Sequence, residues 1–279
     1  MTRPAPTLRR RASIVVKRNA ARCPILKIMA KTPHQLADFL ENLFQTHRYP
    51  PGEQGGIFHS SETPVRKLGL ALEPTKELAD WTFRETLNAL WLHRPWQLAL
   101  TALPPGVGVL AHHLPFDETL TLGHNDPLAM ALKLENLEEL GHKQAPDFPP
   151  RAVGMMGEAP AQPLAAWLEK LTAEFGGYEM ILEGEKEEIH RVAVVGAMTD
   201  AVVREAAERG ATLYLTGQLR HPARRAVEET GMNVVALGHR RSEEWGLRTL
   251  ADVLRAAFPD VEIRVYPNFL TNSAEMLSA

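Results

Sequence analysis

The chain has one cysteine, Cys23, in 279 residues. A single thiol excludes an intramolecular disulfide framework and any zinc or iron–sulfur site built on several cysteines. It also makes the cytoplasm the expected compartment. No run of about 18 apolar residues occurs, so no membrane-spanning helix is expected. The sequence contains no G-x-G-x-x-G after a strand-like run, no G-x-x-x-x-G-K-[ST] and no G-x-S-x-G. The common nucleotide-cradling loops and the hydrolase nucleophile elbow are therefore missing. With 44% hydrophobic and 23% charged residues, the composition is that of a soluble globular protein, not of a disordered, collagen-like or coiled-coil chain.

Acidic residues are absent from the first 31 positions, which hold nine basic ones, Arg3 to Lys31. The remaining 22 basic and 34 acidic residues leave a body near −12 under an overall charge of −3. A mildly acidic body argues against a nucleic-acid-binding surface. The head reads as a disordered tail or the product of an upstream start, with Met29 just before the first good helix. A targeting segment or a basic nucleic-acid arm are the alternatives.

What is present is alternation. Thr32 is a plausible cap for a helix over 32–47 with Pro33 in its first turn. Strands are expected at 67–72, 89–92, 107–111, 153–156, 180–182, 192–196, 213–215, 233–237 and 261–265. Helices are expected over 75–88, 126–137 (capped by Asp126), 163–175, 199–209, 221–230 and 242–258. Strands separated by helices imply βαβ units, hence an α/β fold with mostly parallel sheets. The proline-rich stretch 146–150 is the best linker, giving one domain over 32–145 and a second over 146–279. Leu68–His93 and Val192–Gly217 also share a strand–helix–strand spacing, as a common scaffold or a duplication would produce.

In open α/β sheets ligands sit beyond the carboxyl ends of strands. His93, His113 and His239 each follow an expected strand. Asp117 and Glu243 stand four residues after the latter two. Pro115 suggests that 113–117 is a loop and not one helix face. Imidazole with carboxylate is the ligand mix of zinc, iron, manganese or nickel. His112 is expected to face away from His113, since strand neighbours alternate. His59, His142 and His190 are expected in solvent. The Thr216–His221 turn joins a strand to a helix, where backbone N–H groups can hold an anion.

These strand-end residues resemble the NIF-three-like family, dinuclear-metal ring proteins often described as GTP cyclohydrolase type two homologues. Thr216-Gly217-Gln218-Leu219-Arg220-His221 is similar to that family's TGE-x-x-H turn, and Gly238 to Glu243 to its GH-x-x-[ST]-E segment. His113-Leu114-Pro115-Phe116-Asp117 falls at its H-T-N-x-D, and Gly123-His124-Asn125-Asp126 at its G-x-N-D. The resemblance implies two α/β domains with a metal site in the cleft between them and a homohexameric ring, a trimer of dimers. It implies metal ligands His93, Asp117, His239 and Glu243, with His113 nearby, and one or two divalent ions. Asp117, Glu243 and His113 would then be catalytic in a metal-dependent hydrolase acting on a nucleotide such as GTP, with Arg94, Thr216 and His221 meeting substrate. The alternative is a non-catalytic metal-binding scaffold or regulatory protein.

One departure stands out. Where the family's HHP motif has a second histidine, this chain has Arg94, which stays protonated and cannot ligate a cation. The expectation is one ion at most or a weakened pair, with the guanidinium on the carboxylates. Otherwise Arg94 points away and His113 substitutes for it.

Overall fold

A computed structural model describes residues 31–196 and 198–267. The basic head through residue 30, with Cys23, lies outside them. Helix α1 (Pro33–Leu43) starts where its signals place it. The Thr32 hydroxyl accepts from the Gln35 N–H, and the Gln35 side chain accepts in return from the Thr32 N–H, a reciprocal capping box. There follow β1 (Gly56–His59), β2 (Lys67–Ala71), α2 (Leu78–Arg84), β3 (Ala89–Leu92), β4 (Gly108–Ala111) and α3 (Leu114–Leu120). Next come α4 (Asp126–Leu132) and a long hairpin of β5 (Glu135–Lys143) and β6 (Arg151–Pro163). The rest is α5 (Leu164–Phe175), β7 (Met180–Leu182), β8 (Glu188–Val195), α6 (Asp200–Glu208), β9 (Leu213–Thr216), α7 (Arg224–Thr230), β10 (Asn233–Ala236), α8 (His239–Ala257) and β11 (Glu262–Val265).

The strands form two sheets, ordered β1-β4-β3-β2-β11 and β5-β6-β8-β9-β10-β7. Five of the nine pairings are parallel. The first sheet is parallel except for edge strand β1, and the second adds the antiparallel β5, β6 and β7 to a parallel β8-β9-β10 core. The echo in the sequence has a structural counterpart. Leu68 faces Ala89 in one sheet and Val192 faces Leu213 in the other, the same offset of 21 residues. In both, a leading helix precedes a short strand that pairs antiparallel with an outer strand of the parallel core, β1 with β4 after α1 and β7 with β10 after α5.

Four expectations need correction. The helix from Asp126 stops at Leu132, where Lys133 takes a left-handed conformation, and the chain continues as β5. Its cap is Asn125, whose side chain accepts from the Leu128 N–H at 3.1 Å. Pro115 does not prevent a helix: it sits in the first turn of α3, where its missing N–H costs nothing. The proline-rich stretch at 146–150 is the turn of the β5–β6 hairpin within one sheet, not a linker. The sheets consequently divide the chain differently from 32–145 and 146–279: β5 pairs into the second sheet, and β11 returns to pair with β2 of the first.

Helix α8 ties the units together. Leu247, Leu250, Ala251 and Leu254 pack with Phe116 and Leu120 of α3 under the first sheet, while Trp245 joins Trp167 and Leu215 in the core of the second. Gly246 makes the close crossing of α3 and α8 possible. A Cβ there would lie 2.6 Å from the Leu120 carbonyl oxygen and 2.9 Å from the Phe116 ring. Glycine inside a helix costs roughly 1 kcal/mol against alanine; here it lets two helices that both carry site residues approach. No helix among the described residues is long and apolar enough to cross a membrane.

Candidate metal centre

Three strand ends converge between the sheets, as the topology of an open α/β sheet favours. His93 ends β3 and is fully buried. Its Nδ1 lies 3.1 Å from the His112 carbonyl oxygen, so Nδ1–H donates there and Nε2 is the nitrogen turned toward the carboxylates, the orientation that outer partners impose on ligand histidines. Nε2 lies 3.3 Å from Asp117 Oδ1 and 3.2 Å from Glu243 Oε1. Neither approach has the alignment of a hydrogen bond, and both His93 Nε2 and Asp117 Oδ1 are buried without a partner. Burial works against protonation of His93, but the two carboxylates outweigh it and raise its pKa to about 9.

His112 behaves as strand alternation requires. It turns into the core, accepts from the Trp91 indole N–H at 3.1 Å and packs 5.0 Å from the Phe44 ring. Burial pushes its pKa down to about 3. His113, facing the other way, precedes α3, and its Nε2 is 3.6 Å from Asp117 Oδ2. Burial, with the charges of His93 and Arg94, lowers its pKa and favours the neutral form. One ligand atom each from His93, His113 and Asp117 lie within 4.8 Å of one another. Two imidazoles and a carboxylate, two of whose buried atoms make no hydrogen bond, form a group that could hold a metal ion.

His239 and Glu243 are brought to the same place but are engaged by Arg94. The guanidinium donates to both carboxylate oxygens of Glu243, Nη1 reaching Oε2 at 3.3 Å and Nη2 forming a shorter bond to Oε1. Nη1 also donates to Glu73 Oε1 at 2.9 Å. His239 Nε2 lies 2.9 Å from both Arg94 Nη2 and Glu243 Oε1. The permanently protonated arginine leaves that nitrogen the acceptor. Glu243 draws the His239 pKa upward, and burial and Arg94 oppose it. Burial of Glu243 disfavours its charge, yet His239, His93 and Arg94 together hold its carboxyl well below the usual range. Arg94 thus points into the site, and His113 joins the ligand cluster as well.

Thr216 is fully buried at the end of β9, its hydroxyl without a hydrogen-bond partner. The adjoining Gly217 comes close to His239: a Cβ there would be 3.7 Å from the His239 Cα. His221 is exposed on the next turn, outside the cluster. His59, His142 and His190 are exposed as expected. Two neighbours were missed. Glu73, two residues beyond β2, was within reach of the strand-end rule that found the histidines. Trp96, packed edge-on against His113 with ring centroids 5.1 Å apart, carries no motif.

The family model for Duf34/NIF3 (NGG1p interacting factor 3) matches residues 95–271, a span that holds His113, Asp117, His239 and Glu243. The chain belongs to the Duf34/NIF3 family. Among relatives, a protein of Pyrococcus abyssi named GTP cyclohydrolase 1 type 2 homolog is 33% identical over 243 residues, 80% of this chain and 93% of that protein. Its namesake from Archaeoglobus fulgidus is 30% identical over 239 residues, covering 79% and 92%. The fold is shared with the solved structure of TTHA1606 from Thermus thermophilus, at a TM-score of 0.66 and 21% identity, covering 86% of this chain and all of that one. Reduced HcgD from Methanocaldococcus jannaschii gives a TM-score of 0.64 at 22% identity, covering 84% and 97%.

Proposed function

We propose that this Duf34/NIF3 protein is a metal-dependent hydrolase. Its site takes one divalent ion on His93, His113 and Asp117, and Arg94 supplies to Glu243 and His239 the positive charge that a second ion would otherwise bring. The observation that carries this reading is the clustering of His93, His113 and Asp117, with His93 Nε2 and Asp117 Oδ1 facing each other, buried and without a hydrogen bond. Zinc, iron, manganese and nickel suit such a ligand set. When bound, the ion supplies Lewis acidity for hydrolysis. The protein's own part is orientation and charge. The His112 carbonyl fixes the His93 ring, and the Arg94 fork holds Glu243 ionised and removes it as a free base. Asp117 is then the carboxylate left for the ion and its substrate. The names of the relatives point to a purine nucleotide such as GTP as substrate. The homohexameric ring and cytoplasmic setting belong to the same reading, with Thr216 and His221 on the substrate side.

The test is metal content together with turnover. Purified protein loaded with Mn²⁺, Zn²⁺ or Fe²⁺ is expected to hold one ion per chain and to hydrolyse GTP, with both properties lost in H93A and D117A. Two tight ions per chain would overturn the one-ion assignment. Turnover that persists in D117A would overturn the hydrolase assignment. One observation favours a second reading, a metal-binding scaffold without catalysis: Arg94 consumes Glu243 and His239. Tight single-ion binding with no turnover under any of the metals would select it.

A further inference from the structure

Four of the five tryptophans are buried: Trp81, Trp91, Trp167 and Trp245 are at most 7% exposed. Trp96 is 67% exposed. Large exposed aromatic surface is the informative exception to burial and marks a binding surface when it lines a concavity. Trp96 lines two. It helps wall a cavity of about 490 Å³ that reaches His93 and His113, and a second of about 380 Å³ beside Arg94 and His239. The larger falls in the size range of small-molecule sites.

The indole is held in place. It packs edge-on against His113, interplanar angle 77°, and His113 in turn lies 4.8 Å from the His93 ring, centroid to centroid. Phe58, 45% exposed on β1, faces the same cavity. Part of the wall is main chain. Gly55 has a φ of +78°, and a Cβ there would lie 2.3 Å from the Ala111 carbonyl oxygen, so the loop sits directly on the end of β4. Glu53 on that loop adds an exposed carboxylate acceptor to the cavity lining. Two aromatic side chains, a backbone wall and one anionic acceptor match a flat ring with π-faces and N–H edges. They offer a sugar or a simple phosphate little: among the described residues no arginine or lysine lines this cavity.

We propose that this cavity binds a planar nitrogen heterocycle of purine size, stacked on Trp96 with its N–H edge toward Glu53, beside the ion-binding side chains. This deepens the hydrolase reading by naming the part of the substrate that the protein grips. It can fail separately from that reading, because ring binding and metal content are different measurements.

The experiment is calorimetric titration of the purified full chain with guanosine, adenosine and ribose 5-phosphate, alongside W96F and W96A. Both nucleosides are expected to bind saturably and to quench the tryptophan emission, and ribose 5-phosphate is not. Loss of stacking in W96A should weaken nucleoside binding about ten-fold or more, whereas W96F, which keeps an aromatic face, should stay within about three-fold. W96A should still carry its ion, which separates lost stacking from a collapsed site. F58A serves as a second wall variant and should weaken binding in the same direction. The proposal is overturned if neither nucleoside binds, if W96A binds as tightly as the unaltered chain, or if ribose 5-phosphate binds as well as the nucleosides. A chain that binds nucleosides through Trp96 but takes no ion keeps this proposal and removes the metal reading.

Discussion

The two halves present the same device at the same place. After β4 in one sheet and β10 in the other, a helix begins beside a histidine, with a carboxylate four residues on: His113 and Asp117 at α3, His239 and Glu243 at α8. Their states differ. In the first half Asp117 keeps a buried oxygen without a hydrogen bond, facing His93 Nε2. In the second, Glu243 is forked by Arg94 and His239 touches the same guanidinium. Equivalent backbone positions thus hold one open and one closed ligand pair, and the difference traces to one residue at the end of β3. A geometry repeated by topology is not a chemistry repeated, because a single fixed charge occupies one carboxylate and not the other.

The sharpest way to break this comparison is to remove one member from each half. D117A should weaken metal binding by more than about 100-fold, beyond the 10–100-fold typical of outer-shell partners. H239A should change affinity by less than about three-fold, well below that outer-shell range, because its nitrogen is already an acceptor for Arg94. Calorimetric titration with Zn²⁺ measures both, and equal losses would dissolve the distinction. R94H should bring the halves together, raising the content from one ion per chain toward two.

The next effect concerns what lets the halves meet. In G246A the new methyl collides with the Leu120 carbonyl, a backbone atom that cannot swing aside. Overpacking of this kind costs about 1–3 kcal/mol, read as a lower denaturant midpoint. Because α3 and α8 carry Asp117 and Glu243, metal affinity should fall as well. A variant with lower stability but unchanged affinity would show that the site does not depend on this crossing.

Much of the device was legible in the sequence, and what was not has identifiable causes. His93, His113 and His239 follow apolar runs with β-branched or bulky residues, so the strand-end rule finds them. Glu135–Lys143 was hidden because Leu134, Leu137 and Leu140 continue the leucine pattern of α4. Its stop is a left-handed Lys133 instead of a glycine, so nothing marks the boundary. The return of Val261–Val265 to the first sheet is a long-range pairing, which local pattern does not encode. Pro146 to Pro150 have the composition of a linker, and only the pairing of β5 with β6 shows them to be a turn. Arg94 was readable as an obstacle to a second ion; its fork on Glu243 joins residues 149 positions apart, which local pattern does not encode.

The smallest effect sharpens the comparison along pH. The first half buries His112 behind its ligand pair, whereas the second has the apolar Leu237 and then Gly238 before its histidine. His112 is held near 3, against an ordinary value of 6.5, by burial. Below about pH 6.5 the unfolded chain takes up a proton there that the folded chain refuses. Its contribution to stability is therefore complete above that value and falls by about 1.4 kcal/mol for each pH unit below it. His93, raised to about 9 by Asp117 and Glu243 against its burial, works in the opposite sense and in a different window. In the metal-free chain its contribution is present below about pH 6.5 and fades as the pH rises toward 9. Between about pH 6.5 and 5 the slope among these two histidines belongs to His112. Denaturant melts across that range should show the decline in the unaltered chain. H112L gives up the acceptor for the Trp91 indole N–H and should start less stable, but with a flatter profile. Hydrogen exchange at pH 5 should then show β3 and β4 opening before β9 and β10, because only the first half carries a proton acceptor in its core at this position.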